Sequence, residues 1–252
     1  MKLIQVNTEQ GHLLAPLLNF ISEQQPDIIC AQEVLNSQEK IRLSANYQTL
    51  EHIKKAGDFS HHFFSPTWSF EAFGTDVQIG NAIFSKFPIS NQQTVFIRGQ
   101  YEQKITFQNA DINIRNLQIC SLEISGRRLN IANHQAYLAG PNPLGDEQSI
   151  IFAEKVARHL QPYLNCLIFC GDLNFIPSSP ALEPLTKLGL RNLTVEFNVK
   201  TTLSSIHRAP QEDKDRVACD YVFYSDNIKI NRFSVSDKIV SDHKALILEF
   251  DI

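Results

Sequence analysis

The sequence predicts an α/β fold of the mixed α+β kind, with two mixed β-sheets flanked by helices. Three observations carry this. The chain opens strand–helix–strand, the pattern of a parallel pair. Its middle alternates short apolar runs with turn residues, as hairpins do. Its second half returns to a helix followed by a buried strand, then closes on three further strands. The 252 residues hold no internal repeat, low-complexity tract or Gly/Ser linker, so a single unit spanning 1–252 is the simplest account.

Residues 1–6 are short and apolar, with β-branched Ile4 and Val6, and read as a buried strand ending at Asn7. Residues 12–24 place Leu13, Leu14, Leu17, Leu18 and Ile21 at helical spacing. Pro16 suits the first turn, where its missing N–H matters least, and Pro26 stops the helix. Residues 27–32 form a second buried strand that ends at Glu33. Residues 47–53 and 79–84 read as strands, with an aromatic-rich loop over 61–74 between them. Strands are expected at 94–98, 116–124 and 128–134, the last two joined by a turn at Gly126-Arg127. Residues 146–160 form an amphipathic helix capped by Gly145 or Asp146. A buried strand over 166–171, a helix over 178–188, and strands at 219–224, 228–235 and 245–250 complete the chain.

Composition excludes several classes. Apolar residues make up 43% and charged residues 20%, the balance of a globular protein. The net charge of −4 lacks the basic excess that tight, nonspecific binding to long DNA draws on, though a local basic groove stays open. Five cysteines, an odd number without paired spacing, argue against a disulfide framework, and Cys166/Cys170 lack the other ligands of a structural zinc site. No apolar stretch reaches a membrane span, and the N-terminus lacks a signal-peptide core, so a cytoplasmic location is the expectation.

A set of polar residues falls at or just beyond the ends of apolar strands: Asn7, Glu33, Asn133-His134, Asp172 with Asn174, Asp220, and Asp242-His243. Strand ends are where open α/β sheets build sites. Glu33 and Asp242 can hold a hard cation through oxygen. Asp172 can take a proton from water. Asn174 can donate to phosphate without charge repulsion. His243, if cationic, can donate to a phosphoryl oxygen in the transition state, with Asp220 orienting it and raising its pKa. Each residue also has a plainer reading. Glu33 alone is a solvated loop residue, GDLN a turn, and His134 or His243 alone a surface or satisfied core histidine. His61, His62 and His207 read as structural. Trp68 with Phe63, Phe64, Phe70 and Phe73 reads as packing more readily than as a base-stacking platform.

In order along the chain, VN at 6–7, AQEV at 31–34, GNAIFSKFPI at 80–89, NH at 133–134, GDLNFIP at 171–177, DYVFYS at 220–225 and SDHKAL at 241–246 span nearly the whole sequence. This series resembles the endonuclease/exonuclease/phosphatase superfamily. The resemblance implies a four-layer α/β sandwich and a divalent metal, Mg²⁺ or Mn²⁺. It makes Glu33 the principal metal ligand, with Asn7 and Asp242 contributing. It makes Asn81 and His134 phosphate-contacting residues. Asp172 becomes the residue that activates water, Asn174 its phosphate-binding companion, and His243 the catalytic histidine supported by Asp220. Three departures stand out. Asn133 replaces a frequent Thr, Val217-Ala218-Cys219 separates Arg216 from Asp220, and the helix over 146–160 carries Gln148 where an Arg is frequent near its start.

The expected activity is a metal-dependent phosphoester hydrolase, with a nucleic-acid phosphodiester favoured as substrate. The alternatives are a small-molecule or lipid-headgroup phosphatase, of inositol-phosphate or sphingomyelin type, and a non-catalytic interaction protein on the same fold. Specificity falls to segments 54–76, 99–114, 137–145 and 200–215. The last begins a modest basic cluster of Lys200, Arg208, Lys214 and Arg216, which suits a single strand or a nucleic-acid end. The partner implied is the phosphoester substrate; no obligate protein partner is evident.

Overall fold

A computed structural model describes residues 1–37, 44–106, 113–140 and 142–252. Strand β1 (Lys2–Asn7) runs parallel to β2 (Ile28–Asn36), and helix α1 (Leu14–Gln24) makes the crossover. The helix ends where Gln25 turns left-handed, just before Pro26. Strands β3 (His61–Ala72) and β4 (Thr75–Ser85) form a hairpin that pairs with β2 through β4. The second sheet begins with β5 (Ile89–Arg98), β6 (Arg115–Ile124) and β7 (Arg127–Gln135). Helix α2 (Thr49–Ala56) lies before β3, and α3 (Glu147–Leu160) links β7 to its parallel neighbour β8 (Leu167–Asp172). Strands β9 (Arg191–Asn192), β10 (Asp220–Tyr224), β11 (Lys229–Val235) and β12 (Leu246–Asp251) follow. The sheet orders are β11-β12-β1-β2-β4-β3 and β5-β6-β7-β8-β10-β9. Each therefore centres on one parallel βαβ pair with antiparallel strands around it.

The sheets face each other across a core of Leu3, Ile28, Ile83, Leu122, Ile131, Ile168, Val222 and Leu248. Helices α1 and α2 cover the first sheet with Leu17, Phe20, Ile21, Leu50 and Ile53. Helix α3 covers the second with Ala153, Val156, Ala157 and Leu160. Four layers result, as the resemblance implies. All five cysteines are buried thiols. No helix among the described residues is long and apolar enough to cross a membrane.

A chain of buried amides crosses the inter-sheet layer. Gln5 Nε2 donates to Asp220 Oδ1 and Gln32 Oε1, both at 3.0 Å. Gln32 Nε2 donates to Asn133 Oδ1 at 2.7 Å. Asn133 Nδ2 reaches Gln118 Oε1, Ala31 O and Ala82 O, and Gln118 Nε2 closes on Phe63 O. All four side chains are buried. Asn133, where the family often has Thr, thus ties the two sheets together.

Four elements differ from expectation. Residues 47–53 belong to a short 3₁₀ turn and α2, because Leu50 and Ile53 are spaced for a helix face that packs on the first sheet. The aromatic segment expected as a loop is β3, an edge strand that accommodates Pro66 where its register to β4 shifts. The helix expected over 178–188 is broken into a 3₁₀ turn, Pro180–Leu182, and one helical turn, Glu183–Thr186, each with a proline at its start. The β6–β7 turn sits one position early, at Ser125-Gly126, both at positive φ.

Candidate active site

The sequence-selected residues gather at one rim of the sandwich. Asn7 ends β1, Glu33 lies in β2, and His134 and Asp172 close β7 and β8. Asp220 opens β10 directly across from Asp172, and Asp242-His243 precede β12. The glycines in two motifs have a steric cause. A Cβ on Gly171 would lie 2.1 Å from His134 O, and one on Gly80 would lie 2.2 Å from Ser65 O. Neither strand could pair as closely with any other residue there.

Glu33 sits in a bulge. The pairing of β2 with β4 slips between Ala31 and Val34, and Glu33 adopts a left-handed φ of 54°. Gln32 thereby stays in the core while the Glu33 carboxylate reaches the rim. Its Oε1 accepts from Gln135 Nε2 at 2.7 Å and from Asn7 Nδ2 at 3.2 Å. Asn7 Nδ2 also donates to Asp172 Oδ2 at 3.1 Å, so one amide joins two carboxylates. The Asn7 oxygen takes the Glu9 N–H.

Asp172 is buried, and its Oδ1 accepts the backbone N–H of Asn174, itself left-handed at φ 58°. Asn174 Nδ2 gives one hydrogen to Ala136 O. Burial pushes the Asp172 carboxyl up to about 6; His243 and the Asn7 amide oppose the rise, and Asp220 and Glu33 add to it.

His243 Nδ1 lies 2.8 Å from Asp220 Oδ2 in a pair removed from solvent. Burial pushes the imidazole down, but Asp220, Asp172 and Cys219 more than offset it and hold His243 well above its ordinary value. The pair thus favours the imidazolium, with Nε2–H free of Asp220. The adjacent Cys219 thiol is pushed up to about 12 by burial and by Asp220.

His134 and Asn81 form a neighbouring cluster. His134 Nδ1 lies 2.8 Å from Asn116 O, and Asn81 Nδ2 donates to that carbonyl and to Asn116 Oδ1. Burial lowers His134 to about 4, with Arg115 adding to the drop against the Asn116 carbonyl, so the ring is neutral. Asn81 and Glu33 line one cavity of about 80 Å³ with Gln10, Thr67, Trp68, Arg115 and Gln135. Gln148 is exposed in the first turn of α3.

Two residues escaped the sequence reading. Glu9 stands two places after Asn7, where the chain kinks with Glu9 and Gln10 both at positive φ. Its position just past a strand end was the available signal. Burial raises its carboxyl, as do Asp242 and Glu33, against His12 and the Asp242 N–H. Its Oε2 is buried and has no hydrogen-bond partner among the described residues. His207 was read as structural, yet its Nε2 lies 3.8 Å from Asp242 Oδ2 and its ring meets His243 edge-on. Only the folding of the 200–210 loop brings it there.

Glu9 feels the charges of Asp242 and Glu33, and all three offer carboxylate oxygen, the donor type a hard divalent cation takes. The unpartnered Glu9 oxygen, and the neighbouring carboxylates that add to what burial does in raising Glu9 and Asp172, mark a cluster short of positive charge. The residues present therefore fit Mg²⁺ or Mn²⁺.

An α/β sandwich with a carboxylate-and-imidazole rim of this kind defines a phosphoester-processing class. The chain belongs to the Endonuclease/Exonuclease/phosphatase family, which residues 5–243 match. Members are generally hydrolases of phosphoester bonds. The fold is shared with a family protein from Leptotrichia buccalis C-1013-b, with TM-score 0.70, 20% identity and 100% of both chains covered. It is shared with the mannosyl-6-phosphatase Bt3783 of Bacteroides thetaiotaomicron VPI-5482, with TM-score 0.71, 13% identity and 100% of both chains covered. The human nocturnin catalytic domain matches with TM-score 0.64 at 18% identity, over 100% of this chain and 94% of that one. No curated protein matches the sequence.

Proposed function

We propose that the protein is a divalent-metal-dependent phosphoester hydrolase acting on a nucleic-acid phosphodiester. The observation that carries this is the joining, through Asp172, of a carboxylate cluster at Glu33 to a buried imidazolium at His243. Asp172, lifted to about 6, is a base matched to neutral pH, and Asn7 and Asn174 fix both of its oxygens. It takes a proton from the attacking water. His243 commits Nδ1 to Asp220 and so aims Nε2–H at the phosphoryl oxygen, where negative charge grows. Asn174 uses one amide hydrogen on Ala136 O and offers the other to phosphate. His134, held by Asn116 and neutral, donates there once the phosphate's charge draws a proton to Nε2. Glu33 and Asp242, with Glu9, would hold Mg²⁺ or Mn²⁺, which supplies charge neutralisation at the phosphoryl and leaving oxygens. Asn7 contributes mainly by orienting the carboxylates, since its amide hydrogens go to Glu33 and Asp172.

The nucleic-acid reading is supported by the segment carrying Lys200, Arg208, Lys214 and Arg216, which adjoins the site through a bridge between Leu203 and His243. The aromatics give it less support, because Trp68 and Phe70 are packed beneath the β3–β4 hairpin. A small-molecule phosphatase is the second reading, favoured by the 80 Å³ cavity of mixed lining beside Glu33 and Asn81. A turnover panel of single-stranded DNA, abasic duplex, RNA, inositol phosphates, sugar phosphates and sphingomyelin, run with Mg²⁺ or Mn²⁺ and with excess chelator, decides between them. Cleavage of a nucleic acid that stops with chelator is expected. Turnover confined to phosphomonoesters transfers the assignment to the second reading, and full activity in chelator removes the metal mechanism.

A further inference from the structure

We propose that His207 donates an N–H to the substrate phosphate, beside His243, as a further substrate-contacting residue. The proposal rests on the hydrolase reading for where the phosphate sits, and it adds a residue which that reading does not require.

The loop bearing His207 is pinned to the segment that carries Asp242 and His243. Ser204 N donates to Asp242 O at 2.8 Å, Ser204 Oγ to Ser241 O at 2.8 Å, and Lys244 N to Thr202 O at 2.6 Å. His207 N then folds back onto Ser204 O. These bonds fix the loop's path over the site. The His207 ring is only 24% exposed and stands 5.5 Å from the His243 ring at 79°. One ligand atom each from His207, Asp242 and His243 lie within 4.8 Å of one another.

Such a trio has two uses, as a metal chelate or as a socket for an anion beside a metal ligand. The tautomer separates them. Ala209 N–H donates to His207 Nδ1 at 2.9 Å, so Nδ1 presents its lone pair and the ring's hydrogen sits on Nε2. A metal needs a lone pair at Nε2, which this arrangement does not provide. The Nε2–H is instead a donor, and at 3.8 Å from Asp242 Oδ2 it is too far to be spent there. His243 likewise keeps Nε2–H free, because Asp220 occupies Nδ1. Two imidazoles, edge to face and each with a ring nitrogen within 4.8 Å of an Asp242 oxygen, thus bring their donors beside one carboxylate. A tetrahedral phosphate presents neighbouring oxygens to both, whereas water would satisfy them with a single acceptor.

The test separates donation from packing. His207→Phe keeps a flat ring against His243 and loses the donor; His207→Gln keeps an N–H and loses the ring. With bis-p-nitrophenyl phosphate and saturating Mg²⁺, His207→Phe is expected to lower kcat/KM by roughly tenfold to a hundredfold. His207→Gln is expected to stay within about fivefold of the parent, since it restores a neutral donor. Inorganic phosphate binding, followed by calorimetry, should weaken in the Phe variant and not in the Gln variant. Equal phosphate affinity in the Phe variant and the parent overturns the proposal, as do equal losses in both variants. Phosphate binding that weakens only in the Phe variant, in a protein that turns over no phosphoester, upholds the donor role while removing the hydrolase reading.

Discussion

Replacing Asp220 with Asn removes one charge and almost no volume, and the surrounding bonds decide how His243 responds. Gln5 Nε2 is anchored by Gln32 and donates to Asp220 Oδ1 at 3.0 Å. In the variant the Asn oxygen must stay on Gln5, which turns its NH₂ toward His243 Nδ1. That nitrogen can accept only if it is deprotonated, so the imidazole becomes neutral with its hydrogen on Nε2. The phosphate therefore keeps a donor and loses its charge. A hydrogen bond to a charged group contributes about 1.5–3 kcal/mol and a neutral one about 0.5–1.5, so the loss is about 1–2 kcal/mol, or roughly 5- to 30-fold in rate. His243→Ala removes the donor outright and should cost roughly 10²- to 10³-fold. The assay is Mg²⁺-dependent nitrophenol release from bis-p-nitrophenyl phosphate across pH, with the His243 ring followed by NMR. Activity of the parent should fall as pH rises through the elevated His243 pKa, and Asp220→Asn should lack that limb. Stability has the same sign. The native pKa is raised, so the pair's stabilisation is complete below the ordinary histidine value and disappears as pH rises through the native one. The melting deficit of Asp220→Asn should therefore be largest at mildly acid pH and shrink upward. An alkaline limb unchanged in the variant, or a loss as deep as that of His243→Ala, would refute the reasoning.

Glu33→Gln should raise the Mg²⁺ concentration for half-maximal activity by at least about tenfold, with a smaller change at saturation; an unaltered titration removes Glu33 as a ligand. With Asp172 at about 6, kcat/KM at subsaturating Mg²⁺ should fall as pH drops through that value, and saturating Mg²⁺ should move the limb downward. An acid limb that ignores Mg²⁺ would separate Asp172 from the cation. Asn133→Leu leaves Gln32 Nε2, Ala31 O, Ala82 O and Gln118 Oε1 without its amide, costing about 3–5 kcal/mol, or roughly 6–20 °C in Tm. A Tm within about 2 °C of the parent by calorimetry would show the layer repacks freely.

What could be read from the sequence was whatever a strand end makes local. Asn7, Glu33, Asp172 and Asp220 each adjoin an apolar run, so pairing brings the first two together in one sheet and the last two in the other, and packing of the sheets joins them. Strand β3 was hidden because it is an edge strand whose histidines, serines and proline mimic a loop. Helix α2 was hidden because it is short and little beyond the i, i+3 pair Leu50 and Ile53 marks its buried face. Glu9 needed a kink with two left-handed residues, and His207 needed a loop pinned by Ser204 and Thr202. Neither arrangement leaves a periodic trace. The role of Asn133 was equally invisible, since a buried amide and a turn amide look alike until both sheets are in place.

The left-handed residues at the rim tie backbone strain to the position of the site. Glu9, Glu33 and Asn174 all hold φ between 46° and 58°, a conformation that glycine adopts freely and other side chains resist at about 1–2 kcal/mol each. Glycine at Glu33 would relieve the backbone strain but forfeit the bonds from Gln135 and Asn7. The strained backbone at Glu33 is what carries its carboxylate to the rim beside Asn7, so strain and site position arise together.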